Sequence, residues 1–191
     1  MTCRNPIETG VLVDYWLAAL NEPDEHAVEE HLFTCDACGE RLSQVIVLAG
    51  AIRDLARQGS LLMVVSDTFL EQVATDGARV RQYAPPVGGS IACTVAADDD
   101  FLIGRLTADL TGARRVDLCF CDASGTERHR LADIPFNTDA SSVAFQQSIT
   151  YAKAASSETL MARLVAIEDA GERVLGEYTF NHTRTLPGPG A

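Results

Sequence analysis

A chain of 191 residues is long enough for one medium domain or two small ones, and with 47% hydrophobic and 22% charged residues it has the makings of a globular core. Its net charge of −12 is spread along the chain, with ten acids against four arginines and no lysine in residues 1–60. Neither half offers the basic stripe that phosphate contacts require, which argues against direct nucleic-acid binding and for a basic protein partner.

The first ten residues, MTCRNPIETG, contain no apolar leader segment. Ile7, Val11, Leu12, Tyr15, Trp16, Ala19 and Leu20 share one face of a helix over 7–20. Asn21 to Asp24, with Pro23, stops that helix and starts a short second one over 25–33. A third helix runs from about Ala37 to Gln58 with Gly59 as its cap, and a fourth from Ser66 to Thr75, ending at Gly77. The most apolar run, LSQVIVLAGAI, spans eleven residues against the roughly twenty a membrane crossing needs. The chain therefore reads as soluble and cytoplasmic, where six cysteines serve as thiols or metal ligands rather than disulfides.

Ala84 to Gly89 interrupts the helical pattern, and the period then changes from 3.6 to 2. Strands are expected near 90–96, 101–109, 115–121, 127–134, 142–150, 159–168 and 173–180, with hairpin turns at 123–125 and 169–171. The expectation is an α+β chain: a helical domain over 1–83 with about four helices, a linker over 84–89, an antiparallel β-sandwich or barrel over 90–184, and a disordered tail over 185–191.

His31-Leu-Phe-Thr-Cys35-Asp-Ala-Cys38 is the most informative stretch. A spacing of four places His31 and Cys35 on one helical face, and Cys38 returns to that side at the start of the next helix. One imidazole and two thiolates suit tetrahedral zinc. A structural site needs a fourth ligand, and Cys3 supplies it from just ahead of the first helix. His26 lies five residues before His31, about 140° around the same helix, and faces away. A closed set of four ligands leaves no position for substrate, which disfavours catalytic zinc.

The run EHAVEEHLFTCDACGERL, with Cys3 placed 28 residues before His31, resembles the signature of the zinc-binding anti-sigma factors over roughly residues 1–75. The resemblance implies the ligands Cys3, His31, Cys35 and Cys38, and a small helical domain that clamps an extracytoplasmic-function sigma factor. Some soluble members of that family carry a metal-binding cupin, but only His129 and His182 follow residue 90 here, with no H-x-H pair.

Val45 to Leu48 are four consecutive apolar residues, so they point around most of the third helix, and Ile52, Leu55 and the run Leu61 to Val65 extend that surface. The excess fits either a partner-binding face or packing against the β domain or a second copy of the chain. Cys119 and Cys121 sit two apart beside Asp117, with His129 across a turn, which outlines a metal or redox site, although thiols on half-buried strands are more often structural. Cys93 stands alone, and Tyr178 and Phe180 are core positions. Asp36 and Glu40 beside the motif work against thiolate activation, so a signal is expected to enter through the β domain. No nucleophile elbow, phosphate loop or dinucleotide turn is present, and an enzyme is not expected. The leading expectation is an anti-sigma factor; the other is a zinc-stabilised interaction or oligomerisation module with no tie to transcription.

Overall fold

The computed structural model describes residues 3–137 and 141–186. The chain is α+β, with N-terminal helices followed by two β-sheets. Its two compact units divide between Leu55 and Ala56.

The first unit holds α1 (Thr9–Trp16), α2 (Glu22–Thr34) and most of α3 (Asp36–Arg57). Helix α1 ends earlier than its apolar pattern suggests, because Ala18 adopts a left-handed φ of 53°. The side chain of Asn21 caps α2 by accepting a hydrogen bond from the Asp24 N–H at 3.0 Å, and Pro23 sits in the first turn where its missing N–H costs nothing. Cys35 is extended (φ −134°, ψ 93°), which separates α2 from α3. Arg41 of α3 reaches back to the Ile7 carbonyl and to Thr9 Oγ1. Farther along α3, the Arg53 guanidinium lies 5.2 Å from the centre of the Trp16 ring. These two contacts hold both ends of α1 against α3. Among the described residues of this unit, only Leu12, Val28 and Cys38 are buried apolar side chains. Three is too few for a self-sufficient core.

The second unit contains β1 (Met63–Val65), α4 (Asp67–Thr75), β2 (Val80–Tyr83), β3 (Ser90–Cys93), β4 (Phe101–Thr107), β5 (Val116–Cys121), β6 (Glu127–Leu131), β7 (Ser142–Gln147), α5 (Ile149–Ala154), β8 (Glu158–Glu168) and β9 (Gly171–His182). One sheet has the order β1-β7-β4-β2 and the other β3-β9-β8-β5-β6. Neither closes, so the expected barrel is excluded. The sheets are not purely antiparallel either, since β2 runs parallel to β4 and β3 parallel to β9. The two sheets share a core in which the Phe145 ring from one meets Phe120 and Phe180 from the other, edge to face at 5.1 and 6.0 Å.

The boundary expected at 83/84 shifts to 55/56 because β1 and β2 join the first sheet and α4 covers it with Phe69, Leu70 and Val73. The segment at 84–89 is a turn inside this unit: Gly88 N–H donates to the Glu177 carbonyl, and the Gly89 carbonyl accepts from Thr179. The strand expected over 142–150 breaks at Ser148, which caps α5 through the Tyr151 N–H. The tail expected over 185–191 falls partly outside the described residues, but Thr185 bonds the Val95 carbonyl and Leu186 packs beside Val95 and Ile149.

Candidate metal centre

Cys3, His31, Cys35 and Cys38 converge, with one ligand atom from each lying within 4.8 Å of the others. They come from four places in the first unit. His31 is on the last turn of α2 and Cys38 on the first turn of α3, while Cys35 occupies the extended junction between the helices. Cys3 enters from the segment ahead of α1, and its Sγ lies 3.5 Å from His31 Nε2.

The Cys3–His31 separation is close to one edge of a tetrahedron around a single ion. With metal–sulfur and metal–nitrogen bonds of about 2.3 and 2.0–2.1 Å, the ligand–ligand edges of a tetrahedron come to about 3.6–3.8 Å. Three thiols and one imidazole form a soft donor set, suited to an ion that takes sulfur and nitrogen rather than to calcium or magnesium. His26 is exposed and outside the cluster.

The local electrostatics favour one thiolate before any metal binds. The Cys35 thiol is lowered to about 7, chiefly by the hydrogen bond from the Cys38 backbone N–H, with Cys3, His31 and Cys38 side chains assisting against burial. Cys3 moves the other way, raised first by burial and then by donating toward Cys35 and Cys38. Cys38 is fully buried while Cys3, His31 and Cys35 are half-buried, so one side of the cluster is sealed by the helix junction. An ion held here crosslinks the N-terminal segment to both helices.

The second thiol cluster does not assemble. Strand register sets His129 opposite Phe120 and Arg130 opposite Cys119, so His129 and Cys119 lie on different faces of their strands. Cys119 is buried and its thiol is pushed up to about 12, first by that burial, which removes the thiolate a redox sensor needs. Asp117 lies on the same strand face as Cys119, 1% exposed and bound by Arg130 and the Asp133 N–H.

Sequence reasoning noted His182 only for lacking an H-x-H partner. It continues the inward positions of Tyr178 and Phe180 at a period of two, and among the described residues its Nε2 is buried without a hydrogen-bond partner. That alternation was the available signal.

Among the described residues no helix is long and apolar enough to cross a membrane. No protein-family model matches the chain, and no curated protein matches it. Among solved structures it is similar to CopC from Methylosinus trichosporium OB3b, at a TM-score of 0.29 and 11% identity over 66% of this chain and 98% of that one. It is also similar to the N-terminal domain of phage TP901-1 ORF48, at a TM-score of 0.33 and 8% identity over 56% and 98% of the two chains. At these values neither likeness bears on function.

Proposed function

We propose that the chain is a cytoplasmic anti-sigma factor whose first unit, held together by one zinc ion, sequesters an extracytoplasmic-function sigma factor. The observation that carries this reading is the convergence of Cys3, His31, Cys35 and Cys38 at the α2–α3 junction, the ligand set that the zinc-binding anti-sigma resemblance implies. Zinc is the ion chosen because it takes three thiolates and one imidazole in a closed tetrahedron and does no redox chemistry there. The apolar side chains of α3 supply the docking face: Val47 is 73% exposed and Leu48 62%, with Ile46, Ile52 and Leu55 also open to solvent. Helix-in-groove recognition uses such a face, and the net charge of −12 suits it to a partner rich in basic residues. The second unit, read as an open two-sheet sandwich, receives the signal.

The test is transcription from a promoter read by polymerase carrying an extracytoplasmic-function sigma factor. The zinc-loaded chain should suppress it stoichiometrically and co-elute with the free sigma factor. Unchanged transcription together with no co-elution would reject the reading.

A second reading, a zinc-stabilised oligomerisation module, draws on the same face, because five apolar side chains in solvent on one helix also suit a copy of the chain. A concentration-dependent dimer that forms without any sigma factor and disappears on α3 substitution would favour it.

A further inference from the structure

Every ion pair between described residues lies in the second unit. In the first unit, α2 carries Glu22, Asp24, Glu25, Glu29 and Glu30 and neither lysine nor arginine. Local physics accounts for some of these acids. The helix dipole favours Glu22, Asp24 and Glu25 in the first turn, and Glu29 meets the Tyr15 hydroxyl of α1. Glu30 is different, because it is exposed toward the C-terminal end, where the dipole disfavours a carboxylate.

The same face ends on Phe33, which is 90% exposed. Helical spacing sets Phe33 one turn from Glu30 and in line with His26 and Glu22, all of them exposed. The turn that presents the ring is well held. Thr34 Oγ1 lies 3.2 and 3.1 Å from the Glu30 and His31 carbonyls, and His31 and Cys35 of the metal cluster flank Phe33 in the chain. An aromatic side chain on a fixed turn has little freedom to lose when it enters a partner. Single apolar residues are ordinary on a surface. Phe33 is set apart by closing an acidic row that has no cation on its own helix.

We propose that the outer face of α2 docks a basic amphipathic helix of a partner protein, with Phe33 as the apolar anchor and Glu22 and Glu30 as its charged flank. A facing helix offers an aromatic knob a hole between four of its side chains. Lysines or arginines beside that hole meet the carboxylates, which steers the encounter and fixes the register. The same negative charge repels nucleic acid, an anionic lipid surface and the matching face of a second copy. The surface is on α2 and not on the apolar stretch of α3, so it stands or falls independently of the sigma-factor reading.

The test titrates the full-length, metal-loaded chain with a Lys/Leu/Ala peptide designed as an amphipathic helix. Two controls are the same composition in scrambled order and the helix with Glu in place of Lys. Calorimetry gives the affinity and backbone NMR shifts give the place. The amphipathic peptide should bind saturably, shift Glu30, Phe33 and Thr34, and bind at least about tenfold tighter than the scrambled one. Phe33→Ala should cost at least about tenfold in affinity and leave the melting temperature unchanged, since the ring is exposed. Glu22→Gln with Glu30→Gln should weaken binding and flatten its dependence on salt between about 50 and about 300 mM. Val47→Glu with Leu48→Gln on α3 should leave the affinity as it was. An affinity indifferent to Phe33→Ala, shifts confined to α3, or equal binding of either control would each overturn the proposal. So would the absence of saturable binding, or a dimer of the chain alone that Phe33→Ala disperses.

Discussion

Cys3 Sγ lies 3.5 Å from His31 Nε2 although 28 residues separate them in the chain. No strand or helix pairing brings them together. The contact follows from Arg41 holding the entry to α1 at Ile7 and Thr9, and from Arg53 covering Trp16 near its end. The centre therefore closes a loop that contains all of α1 and α2, which is where a crosslink most restricts the unfolded chain.

The first unit should accordingly depend on its metal. Structural zinc in finger peptides contributes about 10–16 kcal/mol at pH 7, and a core of Leu12, Val28 and Cys38 cannot replace that. Elemental analysis should return one equivalent per chain, and chelation should remove most of the far-ultraviolet helical signal while the β signal remains. Cys3→Ser, Cys35→Ser and Cys38→Ser should each weaken zinc by more than the 10- to 100-fold typical of outer-shell partners, and His26→Ala should change it little. A helical signal indifferent to chelation, or a His26 effect equal to that of Cys3, would contradict the assignment.

The α3 face can be tested apart from the fold. Val47→Glu with Leu48→Gln replaces two exposed side chains, so the unfolding free energy should stay within about 0.5 kcal/mol of the parent. If the face docks a sigma factor, affinity should fall by at least about 30-fold, the loss expected for hot-spot residues. Retained affinity measured by calorimetry would move the docking surface elsewhere.

The Cys/His cluster was legible because three of its members are local: H-x-x-x-C-x-x-C confines them to the end of α2, the extended junction at Cys35 and the first turn of α3. The helix starts near Asn21 and at Ser66 and the stop at Gly59 were legible for the same reason. The unit boundary was not. Strands of three and four residues such as Met63–Val65 and Val80–Tyr83 are too short to show a period, and only pairing with β7 and β4, far along the chain, makes them strands. In β5 the faces alternate but neither meets solvent, since all six residues from Val116 to Cys121 are buried. Asp117 is tolerated there because Arg130, Arg115 and the Asp133 N–H meet both of its oxygens. Such compensation comes from residues that no local pattern links to it.

That compensation makes stability depend on pH. Burial alone would raise the Asp117 carboxyl, but the Asp133 N–H and the guanidinium groups of Arg130 and Arg115 outweigh it and hold the group below its ordinary value. A carboxyl depressed in the folded state stabilises fully above its unfolded value, near 3.9, and loses that contribution as pH falls from there through the folded value. Asp117→Asn should cost about 1–3 kcal/mol at neutral pH, and its melting temperature should fall less steeply than the parent's below about pH 4. Parallel acid limbs in thermal melts of the two proteins would mean that another carboxylate controls the transition.

The junction between the sheets makes the sharpest demand on a single position. Gly104 on β4 pairs with Phe145 on β7, and a Cβ at Gly104 would sit 2.3 Å from two carbons of the Phe145 ring. The ring is flanked by Phe120 and Phe180, which meet it edge to face from the other sheet. In an open strand Ala would be preferred to Gly, since glycine loses more backbone entropy on folding. Here overpacking wins, and Gly104→Ala should destabilise the second unit by about 1–3 kcal/mol. The cause can be isolated by shortening the ring. Phe145→Leu alone creates a void and destabilises, but combined with Gly104→Ala it also removes the collision. The pair should therefore cost less than the sum of the single changes, with a coupling of about 0.5–3 kcal/mol in denaturant melts. Simple additivity of the two changes would show that glycine is required for the backbone and not for the ring.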